Sequence, residues 1–158
     1  MKKTVLAILI MLFAGATFAQ NQVNKMQFNA GVGFSSWGLP VYVGADFGVH
    51  KDITVGGELS FRTRSNYGSV IGISANGNYH FNTILNISSP WDFYAGLNVG
   101  YMIWKYDNSY VGAHASGLGI AGQIGGRYFF NDNLGLNIEF GGGNAFSGGK
   151  IGITYVIK

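Results

Sequence analysis

Seven ionisable side chains fall at positions that alternate with apolar residues: Asp46, Glu58, Arg62, His80, Arg127, Glu139 and Lys150. Acids and bases are nearly balanced among them. Such a set can do two things. It can lock a buried interior as ion pairs, because an unpaired buried charge costs several kcal/mol. It can also line a narrow path in which pairs exchange partners as ions pass. A different chemistry is suggested by His114 and Ser116, two positions apart. A serine nucleophile needs a base, and the base needs a carboxylate to orient it. The nearest candidates for that carboxylate are Asp107 and Glu139. The chain has no Cys, which removes disulfides, thiolate metal sites and thiol nucleophiles. No metal-ligand spacing is present, and no cofactor is expected.

The elements that must position these residues are strands. Apolar residues recur at every second position over most of the chain, the period of a half-buried strand. The alternation predicts eight strands, over 26–34, 41–49, 53–62, 70–81, 92–104, 117–129, 134–140 and 150–158. Loops are expected at 35–40, 63–69, 105–116 and 141–149, alternating with turns at 50–52, 82–91 and 130–133. Each strand has one apolar row. In the second it is Val41, Val43, Ala45, Phe47 and Val49, opposite Tyr42, Gly44, Asp46 and Gly48. The seven ionisable residues first named all lie on the other row; Glu139 and Lys150, on adjacent strands near the same end, are expected to pair, and Asp46, Glu58 and Arg127 to meet across the interior. Gly117-Leu118-Gly119-Ile120-Ala121-Gly122 matches a dinucleotide fingerprint, but no helix follows it, so that reading is rejected. Asn86-Ile87-Ser88 matches a glycosylation acceptor, a short motif that carries little weight here.

Composition decides which row is buried in what. Only 11% of the 158 residues are charged, against 47% hydrophobic; a soluble domain has about a quarter charged. Lys2 and Lys3, the apolar run from Val5 to Phe18 and Thr17-Phe18-Ala19 read as a secretory signal peptide over 1–19, cut before Gln20. Loss of the two lysines takes Lys+Arg from 10 to 8 against 7 Asp+Glu. A near-neutral chain offers no footprint for nucleic acid. Residues 20–158 then form one domain, an all-β, eight-stranded antiparallel up-and-down transmembrane β-barrel with its apolar row facing lipid. Strands of roughly nine to twelve residues suit a tilted bilayer crossing. An even strand count puts both termini on one side, expected to be periplasmic. Aromatics on the apolar row sort to the strand ends: Phe28, Phe47, Tyr79, Phe81, Phe93, Tyr128 and Tyr155 toward the terminus-bearing end, Phe34, Phe61, Tyr101 and Phe140 toward the other. Two aromatic belts around an aliphatic band suit a membrane wall.

The pattern resembles the outer-membrane β-barrel family of Gram-negative bacteria, the small OmpA/OmpX-like kind. The resemblance is carried by Val43 to Phe61 and by the hairpin Tyr128-Phe129-Phe130-Asn131-Asp132-Asn133-Leu134-Gly135-Leu136. It implies integral residence in the cell outer membrane, as a monomer among lipid and lipopolysaccharide. The last strand is similar to the signal read by the barrel assembly machinery, with Lys150, Gly152, Tyr155 and Ile157 at the polar, glycine, aromatic and hydrophobic places. The expected role is structural or surface-binding, without enzymatic activity, around a side-chain-filled lumen. Two other roles remain open: a narrow pore for ions or small solutes, and a lipid A-modifying enzyme, since the His114/Ser116 pair is similar to that of the lipid A deacylases.

Overall fold

The computed structural model describes residues 23–106 and 115–157; the proposed signal peptide, Asp107, His114 and Lys158 lie outside them. Eight strands follow one another: β1 (Met26–Ser35), β2 (Leu39–His50), β3 (Ile53–Arg64), β4 (Gly68–His80), β5 (Trp91–Tyr106), β6 (Gly117–Phe129), β7 (Leu134–Gly143) and β8 (Gly148–Ile157). Each pairs antiparallel with its neighbour, and β8 pairs with β1 to close the barrel. Closure leaves no edge strand to aggregate.

Period-two alternation becomes two surfaces. Val41, Val43, Leu59, Ile73, Leu97 and Ile120 stand exposed on the outer wall. Their chain neighbours Tyr42, Asn98 and Ala121 are buried inside. The closing seam is continuous: ten consecutive pairs run from Met26↔Ile157 to Ser35↔Gly148. At its middle Gly31 faces Gly152. A Cβ on Gly31 would collide with the backbone of Ile151 and Gly152, so the two strands approach at a distance that only glycine permits.

Strand ends depart from the sequence-based bounds at the end away from the termini. β2 begins at Leu39, β5 runs to Tyr106 and β7 to Gly143. The connections there shrink to 36–38, 65–67 and 144–147. Hairpin ladders continue past the wall wherever turn residues permit; Gly38, at φ +94°, lets Ser35 and Gly38 bridge. As a result Phe140 lies inside β7, opposite Ile124, and not at a strand end.

The opposite end is held by side chains. Asn82 donates to the carbonyls of Trp91 (2.6 Å) and Ile87 (3.4 Å), and its Oδ1 accepts from the Phe93 amide at 3.2 Å. The Thr83 hydroxyl donates to the Asp52 carboxylate. These bonds fold the long 81–90 connection against the strand ends.

Candidate functional site

The interior is organised by two cations, each shared between two carboxylates. Arg127 on β6 reaches Asp46 on β2, Nη2 to Oδ2 at 3.1 Å, and Asp92 on β5, Nη1 to Oδ2 at 3.2 Å. Its guanidinium also lies 4.3 Å from the centre of the Tyr94 ring. Lys150 on β8 donates to both oxygens of Glu58 on β3, at 2.9 and 2.8 Å, and lies 3.0 Å from Oε1 of Glu139 on β7. Tyr94 joins the two groups: its hydroxyl donates to Oε2 of Glu139 at 3.0 Å.

Neutral groups complete the plug. Asn29 donates to Asp46 at 2.8 Å and Asn76 does so at 3.0 Å. Thr154 donates to Asn29 (2.6 Å), Asn137 donates to Thr154 (2.9 Å), and the Tyr42 hydroxyl donates to Asn137 (2.7 Å). A hydrogen-bonded path therefore runs from β2 through β1, β8 and β7 and back to β2. Buried polar groups need such partners, and bonds from several strands hold most of them here, Asn76 Oδ1 and Arg127 Nε being left without one among the described residues. The interior voids on either side of the Glu58–Lys150 pair are about 20 Å³ each. Each has room for about one water molecule.

His80 shares Asp92 with Arg127. Its Nδ1 lies 2.8 Å from Asp92 and its Nε2 lies 3.1 Å from the Thr54 hydroxyl. The connectivity is that of a nucleophile, base and acid. Thr54, His80 and Asp92 are however exposed by 0%, 1% and 0%. A substrate has no route to the hydroxyl, so the row works as a fastener between β3, β4 and β5.

Above the charged layer, toward the end away from the termini, the interior turns apolar. Val70, Met102, Ala121 and Ala145 form a buried cluster packed by Trp37, Trp104 and Phe146. Trp37 meets Trp104 edge-on at 4.7 Å. Arg62 sits in this layer. Among the described residues it pairs with no carboxylate; it donates to the Ala145 carbonyl at 3.3 Å and lies 5.7 Å from the Trp104 ring centre.

No family model matches the sequence, and no curated protein matches it either. Solved structures do match. A de novo designed transmembrane β-barrel aligns with a TM-score of 0.63 at 15% identity, over 87% of this chain and 99% of its own. The N-terminal β-barrel domain of Pseudomonas aeruginosa OprF aligns at 0.63 and 12% identity, over 85% and 98%. Neisserial surface protein A aligns at 0.56 and 15% identity, over 85% and 94%. The fold is that of the small eight-stranded transmembrane β-barrels.

In this transmembrane barrel, the sequence-selected interior residues fall into separate places. Asp46 and Arg127 meet. Glu58 does not join them, because Lys150 from β8 reaches it first. Glu139 and Lys150 meet at paired positions of β7 and β8. Arg62 lies outside both cation groups, and His80 joins the Arg127 group through Asp92. Asp92 was missed: it is the second residue of β5, directly after a long connection, where alternation has barely begun. Its one signal is parity, since it shares a row with Tyr94, Gly96 and Asn98. Of the proposed catalytic pair, His114 lies outside the described residues, as does Asp107. Ser116 is exposed, and its hydroxyl accepts from the Trp104 amide at 2.9 Å, within the β5–β6 hairpin. Gly152, Tyr155 and Ile157 lie on β8, with Tyr155 opposite Phe28 across the seam.

Proposed function

We propose that this barrel is an integral outer-membrane protein with both termini in the periplasm, working as a non-enzymatic structural or surface-binding element with a closed lumen. The carrying observation is the interior itself. Charged and polar side chains from every strand meet in one network, and the two voids beside the Glu58–Lys150 pair hold about 20 Å³ each. An ion would have to break buried pairs at the height of Arg127 and again at Lys150, and each break leaves a charge unpaired at low dielectric. The aromatic cluster of Trp37, Trp104 and Phe146 then covers the far mouth. Lipid and lipopolysaccharide surround the wall, and the barrel assembly machinery inserts it by reading β8. The chain acts as a monomer.

The decisive experiment is conductance of the purified barrel in a planar phospholipid bilayer. The expected result is no current above background at moderate voltage. Discrete steps whose size changes in Glu58→Ala or Arg127→Ala would establish the narrow-pore role in its place.

A further inference from the structure

One cavity lies on the outside of the barrel. It measures about 740 Å³, within the ~300–1,000 Å³ range of small-molecule pockets. Its floor is Gly126. The outward row of β6 is otherwise bulky on both sides of that residue, with Ile124 above and Tyr128 below. Gly126 is paired laterally with Phe93 on β5 and Ile138 on β7. A Cβ there would come within 3.1 Å of the Phe93 ring, so that ring leans over the gap.

The wall at the terminus-bearing end is a row of aromatic rings. Trp91 stacks on Phe93 at 5.8 Å and meets Tyr128 edge-on at 4.8 Å; Tyr128 meets Phe130 at 5.6 Å. Trp and Tyr at this level suit the headgroup boundary, with their polar tips toward water and their rings toward lipid. Arg127 borders the cavity only from the lumen side, being 2% exposed.

We propose that this groove retains one phospholipid, with an acyl chain lying over Gly126 and its headgroup at the Trp91–Tyr128 rim. The occupant follows from the surface it is cut into: the groove is continuous with the lipid-facing wall of a transmembrane barrel. Its length runs from a headgroup-level rim into the aliphatic zone, as a lipid chain does. A second copy would bring a convex wall, which leaves a groove of about 740 Å³ unfilled. The inference rests on the membrane-spanning placement and is independent of which compartment each end faces.

The test uses the intact barrel carrying Trp37→Phe and Trp104→Phe, so that Trp91 is the sole tryptophan of the original three. It is folded into vesicles of phosphatidylcholine with brominated acyl chains and then diluted into a large excess of lipid-free detergent micelles. The expected result is that Trp91 fluorescence stays quenched after dilution, whereas the same barrel folded in unbrominated lipid shows no such loss. Gly126→Leu should abolish the retained quenching, and Gly122→Leu, on the same outward row beyond the groove, should keep it. Heat-dependent gel migration checks folding of each variant separately. Full recovery of fluorescence on dilution of the parent overturns the proposal, as does unchanged retained quenching in folded Gly126→Leu. If that variant does not fold, the parent decides alone, retained quenching supporting a held lipid and full recovery refuting it. Cross-linked dimers that disappear in Gly126→Leu would also overturn it, assigning the groove to a second copy.

Discussion

Arg127 Nη2 and Asp46 Oδ2 lie 3.1 Å apart, although 81 positions separate them in the chain. Their strands, β6 and β2, are diametrically opposed in the closed order. The pair is therefore a strut across the full width of the barrel, with Asp92 bracing it from β5.

Removing the strut's cation leaves two buried carboxylates uncompensated. Arg127→Met is expected to destabilise the barrel by about 3–5 kcal/mol. Arg62→Met removes only a bond to a carbonyl and a ring contact, and is expected to cost about 1 kcal/mol. Urea unfolding in vesicles, followed by gel migration without boiling, measures both. Equal losses would mean that the ion pairs carry no special weight.

Lys150 offers a sharper comparison. Lys150→Met alone strands Glu58 and Glu139 together in the interior, and the loss should again be about 3–5 kcal/mol. Combining it with Glu58→Gln and Glu139→Gln removes every charge of that group. Neutral replacement of a buried ionic group is often tolerated, so the triple variant should recover most of the loss. A triple variant as unstable as the single one would show that size and shape, not charge, set the cost.

The proposed assembly signal and the closing seam share β8, and two substitutions tell them apart. Gly152→Ala places a Cβ against the Ala30 carbonyl and the Tyr42 hydroxyl, so it should impair closure even in a purified system. Tyr155 is exposed on the wall. Tyr155→Ala should cost only about 0.2–1 kcal/mol through its cross-strand pairing with Phe28. In cells it should nevertheless lower the amount of heat-modifiable barrel in the outer membrane. Normal insertion of Tyr155→Ala would count against recognition of β8 by the assembly machinery.

Neither hydroxyl chemistry is expected to operate. Thr54 is fully buried beside His80, so a phosphonate probe for activated hydroxyls should leave it unlabelled. Cells producing the protein should show lipid A of unchanged mass, with Ser116→Ala indistinguishable from the parent. A mass change that depends on Ser116 would restore the enzymatic reading.

Much of the architecture was legible because a membrane wall is a severe constraint. Every outward position must suit lipid, so Val41 through Val49 or Ile151 through Ile157 announce their faces by alternation alone. The interior is less constrained, and there the sequence under-determined the outcome. Parity placed Glu58 inside and suggested Asp46 and Arg127 as its company, whereas Lys150 takes it; that depends on the heights of β3, β6 and β8 after closure. Nor did it reveal the apolar mouth. Val70, Met102 and Ala121 occupy the inward row, the row on which parity showed charged residues. A plugged barrel needs no water at its mouth, and packing among Trp37, Trp104 and Phe146 fills that space. The lipid groove depends on the missing side chain at Gly126, a residue that looks unremarkable in a chain with 26 glycines.

The seam between β1 and β8 carries a consequence in time. The Thr154–Asn29 bond joins residues 125 positions apart, and none of the ten seam pairs can form before β8 has been made. Contacts of such long separation are slow to form. The first strand out must therefore travel with its pairing edge open until the eighth arrives. Until the seam joins, that edge is open to pairing with other chains.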